Sequence, residues 1–287
     1  MEEKRGTSMI IKNISNFNLA QICESGQCFR MNRIGENTYS VIAADKYLEV
    51  RQQGEQCFFN CGEEMFKSFW QGYFDLDADY GAYIDKIDPE DEYLTRAASH
   101  GNGIRILHQD LWEMIVSFLI SQQNNIVRIR RCIQNICERY GEQKTADNGK
   151  IYYAFPKPEV LAEATEAELF ACNLGYRSKY VIKTAQSVTA GEADLDAIAK
   201  MPYEKAREEL LKFYGVGVKV ADCICLFALH RLEAFPVDTH IKQALDEHYP
   251  ERFPFERYEG VQGVMQQYIF YEELMKTQWN RKKNKTV

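Results

Sequence analysis

The 287-residue sequence predicts an α+β chain: a small N-terminal antiparallel β-sheet domain over residues 1–100, then an all-helical body over residues 101–287. Three observations predict it. Between residues 38 and 61, short runs rich in Val, Tyr and Phe alternate with turn-like stretches. From about residue 100 onward the apolar spacing changes to the 3.6-residue period of helices. The length suits one large domain or two to three small ones, with ample chain for a core.

The strands read as TYSVIA, YLEVRQ and QCFFNC, joined by AADK and QGE. Asp110 can cap a helix beginning LWEMIVSFLI. Ile126, Ile129, Ile133, Ile136 and Tyr140 form the apolar stripe of the next helix, which Gly141 stops. Pro156 and Pro158 mark a loop, and Thr165 with Glu168 fits a capping box. Gly175 is read as the end of that helix and Ser178 as the cap of the following one. Further helices are expected over 203–212 and about 218–229, then a short one after His240 and a long amphipathic one over about 257–276. There is no internal repeat and no low-complexity segment.

Hydrophobic residues make up 45% of the chain and charged residues 27%, an ordinary globular balance. No apolar run reaches the ~18 residues a bilayer span needs, and MEEKRGTSMIIKN has no apolar signal core, so a cytoplasmic protein is expected. The net charge of −7 argues mildly against nucleic acid, but the charge is uneven. Acids gather at 75–92 and 159–168, and bases at 128–139, 177–183 and in the tail RKKNK. Any one basic run can be a solvated helix face. The nine cysteines have haphazard spacing and read mostly as reduced, buried small hydrophobes. Cys57 and Cys61 could form half a zinc site, but no second half follows.

The stretch FYGVGVKVADCICLFALHRLEAFPVDTH carries the chemistry. Gly215 and Gly217 bracket Val216 between two helices, where glycines permit positive φ and keep side chains away. The bare amides opening the second helix would then form an anion site suited to phosphate. A glycine-capped connection is the plainer reading of that pattern alone. Lys219 falls in the first turn of the helix, where the dipole favours the uncharged, nucleophilic amine. Asp238 follows Pro236-Val237; it can cap the next helix or set a negative charge against a developing cation.

The run GVGVKVADCICLFAL with PVDTH resembles the helix-hairpin-helix and Gly/Pro-Asp signature of base-excision DNA glycosylases, with the hairpin at about 205–230. SGQCFRM (25–31), GYFDLD (72–77), IRILHQDLWEMIVSFLISQQNNIVRI (104–129), LGYRSKYV (174–181) and GVMQQYIF (263–270) narrow the resemblance to the 8-oxoguanine DNA glycosylases, over most of the chain. The resemblance implies a cleft between helical subdomains that receives a nucleoside flipped from damaged double-stranded DNA. Lys219 matches the family's nucleophile, which forms a Schiff base and confers lyase activity, and Asp238 its charge-stabilising carboxylate. Gly26 matches the position whose carbonyl accepts from N7–H of 8-oxoguanine, a hydrogen that guanine lacks. Cys223 and Phe270 match residues on the two faces of the base, and Gln266 the reader of its Watson–Crick edge. His240 matches a residue near the adjacent phosphate. Asn124, Arg128, Tyr176 and Arg177 match readers of the opposite base.

Two positions depart from the family pattern. Gln123 stands where three asparagines commonly run, which loosens the expected cytosine preference, and Tyr214 replaces the usual hairpin proline. No metal, no cofactor and no membrane partner are implied, and a monomer is expected, nucleoid-associated in a bacterium. An alkylated-purine glycosylase of the same fold would not need Lys219. A non-catalytic hairpin module would need neither Lys219 nor Asp238. Endonuclease III relatives carry a C-terminal cysteine cluster that this sequence lacks.

Overall fold

The computed structural model describes residues 9–283, with side chains described through residue 277. The basic tail RKKNK starts in the last turn of the final helix, and its side chains lie outside the described residues.

Five strands form one antiparallel sheet: β1 (Ile10–Asn13), β2 (Met31–Gly35), β3 (Thr38–Ala43), β4 (Lys46–Gln53) and β5 (Gln56–Phe59), in spatial order β1-β5-β4-β3-β2. The three strands expected from the sequence are the middle of this sheet. Ala43 pairs with Lys46 and Gln53 with Gln56, so two-residue turns join them, with Ala44 and Gly54 at φ +51° and +60°. The outer strands β1 and β2 had no signal in the sequence, because most of their residues face solvent and no alternation results. Val41, Leu48, Val50 and Phe59 point inward and meet Leu19, Ile22, Phe66, Trp70 and Phe74, so helices and a π-turn cover one face of the sheet.

The first hundred residues are thus less purely β than expected. They include helices Leu19–Glu24, Tyr80–Ile84 and Glu92–Gly101, and the last of these packs along the final helix of the chain. A short hairpin, β6 (Gln143–Thr145) with β7 (Ile151–Tyr153), also interrupts the helical body.

In the body, Asp110 caps helix Leu111–Ser121, accepting from the Glu113 amide at 2.8 Å. The Thr165–Glu168 capping box is formed, and Gly141 ends helix Ile126–Tyr140. Ser178 is not the cap expected: helix Arg177–Thr189 starts two residues earlier, behind Tyr176, and the Ser178 hydroxyl donates to the Gly175 carbonyl. The preceding helix ends at Ala171, and Gly175 sits in the turn that follows, at φ +60°. The final helix, Gln262–Lys283, starts later than expected, after a 3-10 turn at Phe255–Tyr258. Its first half is buried on several sides rather than along one stripe: Val264, Met265, Gln266, Gln267, Tyr268 and Ile269 are all buried. No helix among the described residues is long and apolar enough to cross a membrane.

Two buried arginines join the N-terminal segment to the body. Arg105 donates to the carbonyls of Ser15, Asn16, Asp75 and Ala78 at 2.6–3.0 Å. Arg30 pairs with Glu113 at 3.0 Å, and burial pushes the Glu113 carboxyl up to about 7 despite its partner's charge. The loop at residues 25–30 is therefore fixed against the helices.

Candidate active site

The hairpin consists of helices Tyr203–Leu210 and Val218–Phe227. Asp222 on the second accepts from Arg207 Nε at 2.6 Å and from the Tyr203 hydroxyl at 2.9 Å, both on the first. Gly215 lies at φ +89°, and a Cβ there would fall 2.6 Å from Cγ of the Tyr180 ring, so only glycine fits. Gly217 is different from the expectation. Its φ is −99°, and open space surrounds the position a Cβ would take. What Gly217 leaves is a helix start with no side-chain cap, flanked by the exposed Val218. Unclaimed amides at the positive end of a helix dipole suit a phosphate oxygen.

Lys219, the second residue of that helix, reaches a narrow cleft of about 60 Å³. The cleft collects Gly26, Cys223, Asp238, Gln266 and Phe270 beside Lys219, so all six residues named for catalysis and lesion reading meet there. The Lys219 Nζ lies 5.6 Å from the centre of the Phe118 ring, which stacks on Phe227. Cys223 is one helical turn beyond Lys219; burial pushes its thiol up, and the nearby lysine offsets part of that rise. Asp238 caps helix Thr239–His248, accepting from the Ile241 amide at 2.8 Å. The capping role and a place in the cleft thus coexist in one carboxylate.

Gly26 comes from the other end of the chain. Its φ of +75° belongs to the left-handed region, and a Cβ would stand 3.0 Å from Cε1 of Phe270. Phe270 is half-buried, with the His240 ring edge-on at 6.3 Å between centroids. Gln266 is buried; its amide nitrogen donates to the Pro236 carbonyl at 2.9 Å, while its Oε1 has no protein partner. An orphaned buried acceptor is costly, by about 1–3 kcal/mol, unless something else fills it.

The expected opposite-base residues gather around residues 122–128, outside the cleft. Gln123 is exposed, with a left-handed φ of +47°. Asn124 Nδ2 donates to the Ile120 carbonyl, and Arg128 is exposed. Tyr176 is half exposed, with Arg177 stacked over its ring. Arg177 itself is buried. It donates to the Gln122, Gln123 and Leu174 carbonyls and so braces the turn. Asn125, unassigned from sequence, is the cap of helix Ile126–Tyr140.

Sequence reasoning also missed Ser25, Phe118, Phe227, Pro236 and Gln267, which complete the cleft wall. The only hint of Gln267 was a second glutamine in a stretch that is otherwise apolar. Elsewhere, Asp75, His108 and His230 bring potential ligand atoms within 4.8 Å of one another. The two imidazoles stack face to face at 3.6 Å and 13°, so their in-plane lone pairs run side by side instead of converging on one point. The set is better described as a hydrogen-bonded cluster around Asp75. Burial would raise that carboxyl, but hydrogen bonds from His108 and His230 hold it well below the usual carboxylate range.

Residues 9–115 match the sequence model of the 8-oxoguanine DNA glycosylase N-terminal domain, and residues 116–252 that of the HhH-GPD superfamily base excision DNA repair proteins. The chain belongs to the 8-oxoguanine N-glycosylase/DNA lyase family. It is 34% identical over 264 residues to the N-glycosylase/DNA lyase of Saccharomyces cerevisiae, covering 83% of this chain and 69% of that protein. Against N-glycosylase/DNA lyase OGG1 of Arabidopsis thaliana it is 31% identical, covering 76% of this chain and 62% of that one. The crystal structure of the Clostridium acetobutylicum 8-oxoguanine glycosylase/lyase, in complex with double-stranded DNA containing cytosine opposite 8-oxoG, superposes with a TM-score of 0.89. That pair is 39% identical over 95% of this chain and 97% of that chain. The 3-methyladenine DNA glycosylase of Archaeoglobus fulgidus shares the fold, with a TM-score of 0.71 at 17% identity.

Proposed function

We propose that this chain, acting as a monomer, flips 8-oxoguanine out of duplex DNA, excises it through Lys219, and then nicks the strand at the abasic sugar. The observation that carries this is the meeting of Lys219, Asp238, Gly26, Cys223, Gln266 and Phe270 in one cleft beside an uncapped helix start. The hairpin amides hold a backbone phosphate, which sets the reach of Lys219 to the neighbouring sugar. The Nζ lone pair attacks C1′, and the ammonium that forms gives up a proton. The C1′–N9 bond breaks, its electron pair leaves with the base, and the base takes up a proton. Opening of the sugar ring converts the amine adduct to a Schiff base, and loss of a C2′ proton expels the 3′ phosphate.

The Asp238 carboxylate opposes the positive charge that grows on the sugar as the bond breaks. Phe270 and Cys223 sandwich the ring, Gln266 reads its edge through the orphaned Oε1, and the Gly26 carbonyl accepts from N7–H. Guanine presents a lone pair at N7 to that same carbonyl and is repelled. Asn124, Arg128, Tyr176 and Arg177 face the opposite base, with Gln123 filling the gap. Binding requires Arg177 to exchange carbonyl partners for the orphaned base. The deciding test is borohydride trapping with duplex containing 8-oxoguanine opposite cytosine. Base release with no covalent adduct refutes the lysine mechanism.

A further inference from the structure

We propose that Gln267 is a positioning residue for lesion recognition: it locks the Ser25–Gly26 peptide so that the Gly26 carbonyl faces the base. This rests on the functional reading above, in which that carbonyl distinguishes 8-oxoguanine from guanine.

Gln267 is 1% exposed and lies in the middle of the buried half of the last helix. Its Nε2 donates to the Ser25 carbonyl at 3.0 Å, across 242 positions of sequence. Its Oε1 has no protein partner. An apolar side chain of the same length would fill this space without stranding an acceptor, so packing does not account for the amide. The bond to Ser25 does.

Glycine is the residue least able to hold its own dihedrals. Gly26 is therefore as well oriented as the two peptide planes that flank it. Gln267 fixes the plane before it. On the other side Gln27 is anchored through its side chain, whose Nε2 donates to the Arg105 carbonyl and the Ser25 hydroxyl, both at 2.9 Å. Gln27 Oε1 accepts from the Leu107 amide, and its backbone carbonyl accepts from Gln109. Among the described residues, the Gly26 carbonyl is left with no donor while the carbonyls on either side, of Ser25 and Gln27, are both engaged. The network leaves the Gly26 carbonyl free between two engaged ones, which is the arrangement a preorganised reading group requires.

Gln267→Met removes the donor at nearly constant volume, and Gln267→Leu removes it on a shorter, branched apolar side chain. Two single-turnover rates are compared with wild type: release of 8-oxoguanine opposite cytosine, and cleavage of a preformed abasic site, which has no base to read. Both variants are expected to lose about tenfold or more in lesion release beyond any loss in abasic-site cleavage, as befits one lost hydrogen bond to a recognition loop. Lesion release at the wild-type rate, or the two rates falling in parallel, overturns the positioning role. Failure of the wild type itself to release 8-oxoguanine overturns the functional reading instead.

Discussion

The Asp238 carboxylate accepts a 2.8 Å hydrogen bond from the Ile241 amide, so the residue assigned to stabilise charge on the sugar is also the cap of a helix. One oxygen suffices for the cap. Asparagine caps helices as well as aspartate does, which allows the two roles to be separated. Asp238→Asn is expected to keep its melting temperature close to wild type while slowing single-turnover base release by about 10²–10³-fold, the usual effect of losing one charge-stabilising group. A near-normal rate in a folded variant removes Asp238 from the chemistry.

Lys219→Gln removes the amine that lies over Phe118 and leaves an uncharged polar side chain one atom shorter. The variant is expected to bind lesion duplex with near wild-type affinity and to yield no borohydride-trapped adduct. An undiminished adduct would assign the nucleophile elsewhere.

Gly215→Ala sets a Cβ against the Tyr180 ring at a φ of +89°. The backbone alone costs about 1–3 kcal/mol, and the clash adds to it. Lower thermal stability and weaker DNA binding are expected. Adding Tyr180→Ala relieves the clash but not the dihedral, so the double variant should recover only part of the loss. Full recovery would show that the left-handed backbone costs nothing here.

Glu272 is buried between His100 Nδ1 at 2.6 Å and Arg96 Nε at 3.2 Å. Burial would raise its carboxyl, but these two donors outweigh it and hold the group below its ordinary value. A depressed carboxylate stabilises the fold above its unfolded value and loses that contribution as pH falls through the folded one. Glu272→Gln should therefore melt earlier than wild type at pH 7, with the gap closing on acidification below the ordinary carboxylate range. A gap that persists or widens in acid contradicts the ion-pair account.

DNA affinity should fall steeply with added salt despite the net charge of −7, because the contacts proposed are local to Arg128, the amides of the hairpin and the neighbouring lysines. A flat dependence of log Kd on log salt argues against phosphate anchoring.

How much could be read in advance follows from which physical signals a linear chain carries. The inner strands β3, β4 and β5 announced themselves through alternation and two-residue turns, whereas β1 and β2 face water and alternate poorly. Lys219 and Asp238 stood out because glycines and a proline punctuate the chain beside them. Gln266 and Phe270 needed the family resemblance, since a glutamine and an aromatic at helical spacing look like any packed helix. Gln267 escaped altogether: its meaning depends on Ser25, and no local pattern records a partner so far away. The inward turn of Arg177 escaped for the same reason, because its acceptors belong to the turn at 122–123.

That distance has a kinetic side. The bond from Gln267 to Ser25 closes a loop of 242 residues. On a ribosome, the sheet that shapes one wall emerges early and can pair within itself, while the opposite wall has not yet been made. Long closures are the slow steps of folding, so the catalytic chamber is among the last parts of the enzyme to be completed. A chain synthesised only as far as the glycine hairpin carries Lys219 and Cys223 but not yet Asp238, Gln266, Gln267 or Phe270, and so has no closed cleft.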